Sequence, residues 1–290
     1  MAHESNSFDQ EHSTSHLYSV SMNQDTPLSE PVVTTRSQAD ILIVTINRPY
    51  ARNAVDRATA GILYETFQTF EADEEHKVAI LTGADNTFCA GADLKSIAAD
   101  EQRADLSDAG LDTLAPMGPT RLRLSKPLVA AVEGHAVAGG MELALWCDLR
   151  IVAEDAVFGI FCRRFGVPLV DLGTIRLPRL IGHSRAMDLI LTGRSVDANE
   201  ALAMGLANRM VRRGEALTEA LALAKSIAAF PQTCMRGDRM SALEQWDFSE
   251  EDAIANELRH GRTSAKSGET RMGTARFTQG KGRHGSFDER

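Results

Sequence analysis

The sequence lacks several features that would assign a class of function directly. No uninterrupted apolar run approaches the roughly 18 residues that a membrane-spanning helix needs. The four cysteines form no CxxC pair, which disfavours a zinc knuckle or a disulfide scaffold and favours a reducing compartment. Lys and Arg number 31 against 40 Asp and Glu, so the 290-residue chain carries a net charge of -9 and shows no basic face of the kind that binds nucleic acid. We therefore expect a cytoplasmic protein that neither enters a membrane nor binds nucleic acid.

Lys and Arg are also missing from the first 35 residues, which are rich in Ser, His and acidic residues and show no apolar periodicity. Such a segment cannot bury enough apolar surface to offset the entropy of ordering it. We expect residues 1–35 to form a disordered acidic tail. The domain prediction continues with a core over residues 36–230, followed by a C-terminal helical region with a basic tail over residues 231–290.

Apolar patterning indicates an α/β core. Four continuous apolar runs, each ended by Gly, Pro or a charged residue, predict buried strands at 41–46, 77–82, 127–132 and 149–153. Helical spacing of apolar residues appears between these strands, for example over 57–73. Beyond Thr174 the pattern is mainly helical. Strands that are apolar on both faces and alternate with helices are typical of an α/β fold, here with a helical appendage.

The first candidate functional segment is TFCAGADL, residues 87–94, which follows a predicted strand. Its small residues allow a ligand to approach the backbone, and Asp93 is a candidate N-cap for a short helix. Free N–H groups at such a helix start can stabilise a developing negative charge. An ordinary strand-to-helix turn explains the same pattern.

A second segment, GHAVAGGMELAL at 134–145, also connects a strand to a helix. Gly139 and Gly140 remove side chains where a substrate could contact the helix start, and Glu142 follows among apolar residues. A carboxylate in that position either sits in a pocket or faces solvent, where it would complement the helix dipole. The residues alone leave both options open.

A third segment, FGIFCRRFGVPLVDLGT at 158–174, contains Asp171 between apolar residues and just before a Gly-Thr pair. Asp171 is either a functional carboxylate or a turn or cap residue. Cys162 in the same segment is more typical of a small buried side chain than of a nucleophile.

Together four segments resemble the crotonase family, the enoyl-CoA hydratases and isomerases. The similarity runs from about residue 40 to about residue 213, and the segments occur in the family's order and spacing: NRPYARNAV at 47–55, TFCAGADL at 87–94, VEGHAVAGGMELALWCDLRIVAEDAVFG at 132–159 and GTIRLPRLIG at 173–182. The resemblance implies a spiral of repeated ββα units with C-terminal helices that assemble trimers or dimers of trimers. It also implies an acyl-CoA substrate, with coenzyme A as part of that substrate, and neither a metal nor another cofactor.

The resemblance further assigns roles to single residues. The backbone N–H groups of Ala92 and Gly139 would form an oxyanion hole for the enolate of the thioester. Two fixed donors suit that charge, and losing one typically costs roughly 3–4 kcal/mol of barrier. Glu142 matches the first catalytic glutamate of the hydratases. Substrate contacts are expected from five further positions: Arg52 near the coenzyme A phosphates, Ala90, Asp93, Gly140 and Cys162.

One position departs from the hydratase pattern, because the second glutamate falls on Cys162, and a neutral thiol cannot replace a carboxylate as general base. Asp171 resembles an aspartate that isomerase-like members place just before Gly-Thr, so Glu142 and Asp171 are the expected catalytic pair. We expect a lyase, an enoyl-CoA hydratase or dehydratase. The alternatives are an enoyl-CoA isomerase that uses the same two carboxylates and a non-catalytic member that binds acyl-CoA or RNA.

Overall fold

The structure is a computed structural model that describes residues 30–99, 110, 112–282 and 284. The predicted tail lies outside the described residues up to Ser29. Residues 33–35, which we also assigned to the tail, instead form the first half of an edge strand, in which Val33 pairs with Ile46. This strand is largely exposed, so it leaves no apolar signal in the sequence.

Six strands of the described chain form a large sheet. They are β1 (Val33–Gln38), β2 (Ile41–Ile46), β3 (Val78–Gly83), β4 (Leu128–Val132), β6 (Leu149–Ala153) and β9 (Arg209–Val211), and they lie side by side in this order. Within this sheet β1 and β2 pair antiparallel, and the other neighbours are parallel.

Three short strands form a second sheet, and they connect the large sheet to the helices. The strands are β5 (His135–Val137), β7 (Val157–Gly159) and β8 (Ser195–Asp197), in the order β5-β7-β8. The chain passes from β4 in the large sheet to β5 in the small one, and from β6 to β7 in the same way. This double-strand step produces the ββα unit, since a helix follows β5 directly.

Ten α-helices complete the regular structure of the described part of the chain. They are α1 (Arg57–Ala72), α2 (Leu94–Ala98), α3 (Gly139–Trp146), α4 (Gly173–Ile181), α5 (His183–Thr192), α6 (Ala198–Met204), α7 (Ala216–Ala228), α8 (Gln232–Glu244), α9 (Glu250–Ser267) and α10 (Glu269–Thr278). No helix among these described residues is long and apolar enough to cross a membrane. Helix α10 ends at Thr278 and lies within the C-terminal region that was predicted over residues 231–290.

The large sheet is covered by apolar side chains on both faces. On one face, the side chains of Ile43, Ile80 and Val129 pack against α7. Helix α7 presents alanine at every fourth position, and these methyl groups let the helix lie close to the strands: Ala216, Ala220, Ala224 and Ala228. The opposite face packs against α1 and α3, including Phe67 and Trp146, whose rings meet edge to face with centroids 4.7 Å apart. The core thus fixes α3, the helix that carries Glu142.

Candidate active site

The segment 87–94 lies against the start of α3. Cys89 donates its backbone N–H to His135 O at 2.8 Å, and Val137 donates its own to Cys89 O at 3.1 Å. Gly91 has φ of +95°, and a Cβ placed there would lie 3.0 Å from the Gly139 nitrogen. Glycine is therefore required for this close approach, which brings the backbone around Ala92 beside the first residue of α3.

Two backbone N–H groups remain available at this junction. Ala92 and Gly139 both line the same pocket, and neither N–H donates to another group within the part of the chain that the structure describes. Gly139 is the first residue of α3, where N–H groups have no partner inside the helix and carry the positive end of its dipole. The arrangement suits an oxygen that gains negative charge.

A buried arginine anchors the residue next to Ala92. Arg48 forms ion pairs with Asp56 at 2.8 Å and with Asp93 at 3.1 Å, and it also donates to Ala54 O. The two aspartates are the N-caps of α1 and α2, so Arg48 joins both helix starts. Asp93 was predicted to cap α2, and this is confirmed. Its carboxylate faces Arg48 and is not among the groups that line the pocket.

Glu142 is buried in the pocket and held by the start of α4. Its Oε1 atom accepts the backbone N–H of Asp171 at 3.0 Å and that of Gly173 at 2.8 Å. Leu172, between these two donors, adopts a left-handed backbone with φ of +68°, an uncommon conformation for a bulky residue. Burial raises the pKa of Glu142 to about 8, and the neighbouring Asp171 carboxylate contributes to the rise. Of the two options that the sequence left open, Glu142 in a pocket is correct.

Asp171 lines the pocket beside Glu142 and is also buried. Its Oδ1 atom accepts the backbone N–H of Met117 at 2.9 Å and the hydroxyl of Thr120 at 2.7 Å. The half-buried Arg176 donates to Thr120 O at 2.7 Å and to Asp171 O at 3.4 Å. Burial lowers the pKa of Arg176 to about 10, which leaves it cationic at neutral pH. These contacts fix the Asp171 loop to the segment that contains Met117 and Thr120.

The rest of the pocket is almost entirely apolar. It contains about 530 Å³ of empty space, part of it open to solvent. Cys162 lines it as a buried free thiol whose pKa is raised by burial and by Glu142, so it is held in the neutral form. The remaining lining residues are Ala90, Leu94, Pro116, Met117, Ala138, Phe161, Phe165, Val167, Pro168 and Val170.

Of the other residues that were predicted to contact the substrate, some line the pocket and some do not. Ala90 lines the pocket, whereas Gly140 is buried against the Cys89 backbone, where a Cβ would overlap Cys89 O. Arg52 is exposed, and its carbonyl accepts the Ala90 N–H at 3.1 Å. The structure therefore places the Arg52 backbone next to the pocket wall and its side chain at the surface.

Sequence reasoning missed Thr120 and Arg176, which hold the Asp171 loop. Thr120 lies 51 positions before Asp171 in the sequence, and nothing in the residues around it distinguishes it from a core threonine. Among the described residues, no group of three or more His, Cys, Asp and Glu side chains is arranged to hold a metal ion.

Comparison with known proteins supplies a family context for this pocket. The family model described as enoyl-CoA hydratase/isomerase matches residues 36–284. Enoyl-CoA hydratase EchA19 of Mycobacterium tuberculosis is 39% identical over 208 residues, which are 69% of this chain and 76% of that protein. A probable mitochondrial enoyl-CoA hydratase of Dictyostelium discoideum is 34% identical over 233 residues, 78% of this chain and 80% of that one.

A solved structure shows the same likeness in three dimensions. The crystal structure of enoyl-CoA hydratase EchA1 from Mycobacterium marinum superposes with a TM-score of 0.80 at 36% identity. The match covers 86% of this chain and 96% of that chain. The likeness therefore extends over nearly the whole fold of that enzyme.

Proposed function

Since this chain belongs to the enoyl-CoA hydratase/isomerase family and is an enzyme of that family, we propose that it adds water reversibly to a 2-enoyl-CoA thioester. The predicted crotonase fold is confirmed, and the non-catalytic alternative is not retained. One observation supports the proposal above the others. Two buried carboxyl groups, Glu142 and Asp171, share a pocket with two N–H groups that have no partner in the described chain.

The proposed hydration needs an oxyanion, a base and an acid. The water oxygen bonds to C3 of the acyl group, Asp171 takes one water proton, and the C2=C3 electron pair moves to form the enolate. The Ala92 and Gly139 N–H groups stabilise its oxygen. Glu142 then gives its proton to C2, which restores the thioester carbonyl. The proton on Asp171 returns to Glu142 and resets the pair, so the reaction balances without a cofactor.

The assignment of acid and base follows from the surroundings of the two carboxyl groups. Glu142 has a raised pKa, so at neutral pH it carries the proton that an acid must give. Asp171 accepts two hydrogen bonds at Oδ1, and donors of this kind favour the ionised form that a base needs. Neighbouring groups whose environments separate their proton affinities are the usual acid and base pair of an active site.

The isomerase alternative is favoured by Cys162. The thiol stands where the resemblance places the second glutamate of a hydratase, and burial keeps it neutral. In an isomerase, Asp171 would remove a proton from C2 of a 3-enoyl-CoA, and Glu142 would protonate C4. That reaction needs no water in a pocket that is otherwise apolar.

We also carry over three expectations from the sequence. Arg52 is proposed to contact the phosphates of coenzyme A, because its backbone contacts Ala90 of the pocket wall and its side chain is exposed. A trimer or a dimer of trimers is supported by exposed apolar side chains in the C-terminal region, among them Trp246, Ile254 and Leu258. The free thiols of the four cysteines are consistent with a cytoplasmic location.

Rates of 2-enoyl-CoA hydration and 3-enoyl-CoA isomerisation test the proposal in a set of variants. Glu142→Gln and Asp171→Asn should each lower kcat by about 10²–10⁴-fold, the usual contribution of acid–base catalysis. The double variant should lose less than the product of the two losses, because the groups act as a unit. Hydration should exceed isomerisation in the unmodified enzyme.

Cys162 supplies the matched control. Cys162→Ala should change kcat little, and Cys162→Glu should raise hydration relative to isomerisation if the pocket accepts the larger side chain. An inactive Cys162→Ala variant together with an unimpaired Asp171→Asn variant would refute the assignment of the second catalytic group. Faster isomerisation than hydration in the unmodified enzyme would select the alternative function.

A further inference from the structure

One buried hydroxyl group beside the pocket, that of Thr120, contacts Asp171 but takes no part in the proposed reaction. Thr120 is fully buried, and its Oγ1 atom donates to Asp171 Oδ1 at 2.7 Å. The backbone of Thr120 is fixed separately, because Arg176 Nη2 donates to Thr120 O at 2.7 Å. The Thr120 backbone is therefore held by a contact that does not involve the Asp171 side chain.

We propose that Thr120 is a positioning residue that holds the Asp171 carboxylate ionised and oriented toward the pocket. The proposal rests on the proposed function in one respect, that Asp171 acts as the base. Hydrogen-bond donors to a carboxylate favour its charged form. Without them, a buried carboxylate next to a second carboxyl group would tend to take up the shared proton itself.

Other charged and titratable groups lie around Asp171 and act on the same carboxylate. Glu142 approaches from α3, and the Cys162 thiol lines the same pocket from the turn at 161–165. Arg176 on α4 and Arg121, next to Thr120, are the cations nearby. Their hydrogen bonds to this loop go to the backbone oxygens of Asp171 and Val170, and Arg176 also interacts electrostatically with the Asp171 carboxylate. The Met117 N–H and the Thr120 hydroxyl donate directly to Asp171 Oδ1.

Thr120→Val tests this role, since it keeps the shape of the side chain and removes the hydroxyl. Thr120→Ser keeps the hydroxyl. Thr82→Val is a matched control, because the buried Thr82 hydroxyl donates at 3.0 Å to Ala131 O, a neutral carbonyl. Melting temperatures are measured for the substrate-free proteins between pH 4.5 and pH 7.5.

The melting-temperature deficit of Thr120→Val should be largest where Asp171 is ionised, and it should shrink as the pH is lowered and the carboxylate becomes protonated. The deficit of Thr82→Val should stay constant, and Thr120→Ser should behave like the unmodified chain. If the deficits of Thr120→Val and Thr82→Val run parallel across this range, the hydroxyl does not support the charge of Asp171 and the proposal is wrong. This readout needs no substrate, so it remains decisive even if the proposed reaction is not observed.

Kinetics provide the second readout. In Thr120→Val the acid limb of the kcat/KM profile should move up by roughly one pH unit, which is a tenfold change in proton affinity. The alkaline limb, set by Glu142, should not move, and Thr120→Ser should restore the acid limb. An equal loss of kcat/KM at every pH would assign Thr120 a packing role only. Absence of enoyl-CoA turnover in the unmodified enzyme would instead count against the proposed function.

Discussion

At the scale of single residues, Glu142 links catalysis to the stability of the fold. In the folded chain its pKa is raised from 4.5 to about 8, chiefly by burial. Between these two pH values the unfolded chain has released a proton that the folded chain retains. The free energy of unfolding therefore falls as the pH rises through this window, by about 1.4 kcal/mol for each unit of pKa difference. Glu142 thus destabilises the fold most above pH 8.

This cost predicts a pH-dependent gain in stability for Glu142→Gln. The neutral amide has no proton to lose, so the melting temperature of the variant relative to the unmodified protein should rise steadily from pH 5 to pH 8.5. Thermal denaturation at constant ionic strength measures it, with Glu65→Gln on the exposed face of α1 as the control. A difference in melting temperature that is the same at every pH would mean that Glu142 titrates normally.

Some residues of the site can be identified from the sequence, and others cannot. Glu142 can be found because a carboxylate among apolar residues follows a glycine pair. Its environment cannot be predicted, since the donors that hold it lie 29 and 31 positions further along the chain. Thr120 gives no sequence signal, because its only distinctive property is a hydrogen bond to a residue 51 positions away.

At the scale of elements, the start of α4 determines where Glu142 lies. The left-handed Leu172 turns the chain so that the N–H groups on either side of it reach the same carboxylate oxygen. Gly173 has no space for a side chain, since a Cβ there would lie 2.7 Å from Glu142 Oε1 and 2.8 Å from its Cγ. The close contact between α3 and α4 thus needs glycine at this position.

Gly173→Ala should therefore displace the Glu142 carboxyl group without removing any catalytic atom. Misplacement of a reacting group by about 1 Å can cost about 10²-fold in rate, and we expect a loss of kcat of that order. Gly261→Ala in α9 is the matched control, because nothing lies within 4 Å of its added Cβ. Steady-state kinetics with melting temperatures measure both variants. Normal kcat in a folded Gly173→Ala protein would show that the contact between α3 and α4 does not position Glu142.

Element length explains which parts of the fold could be predicted. The strands β2, β3, β4 and β6 are five or six residues long and almost wholly buried, so each leaves a continuous apolar run. The three strands of the small sheet have three residues each, too few for any periodicity. Apolar patterning therefore could not predict the passage of the chain from one sheet to the other. The family resemblance implied it, and the structure shows it.

At the scale of the whole molecule, the C-terminal helices differ from the core. Helices α8 and α10 contain no buried residue, and the largest side chains of α9 are exposed. Apolar residues exposed in this way include Leu243, Phe248, Ile254, Leu258, Met272 and Phe277. Apolar side chains concentrated in one region of a surface are typical of a protein interface. We therefore expect the predicted assembly to use the C-terminal region.

Ile254 and Leu258 offer a direct test of that assembly, because they lie one turn apart on the same face of α9 and each is 53% exposed. Placing carboxylates there would bring like charges into an apolar interface, whereas both positions are open to water in a single chain. The Ile254→Glu/Leu258→Glu variant should therefore fold and have the mass of one 31.5 kDa chain, whereas we expect three or six times that mass for the unmodified protein. Light scattering coupled to size-exclusion chromatography measures the masses.

Ile62→Glu, at an exposed apolar position of α1, controls for the added charge. Retention of the unmodified mass by the double variant would place the interface elsewhere on the surface.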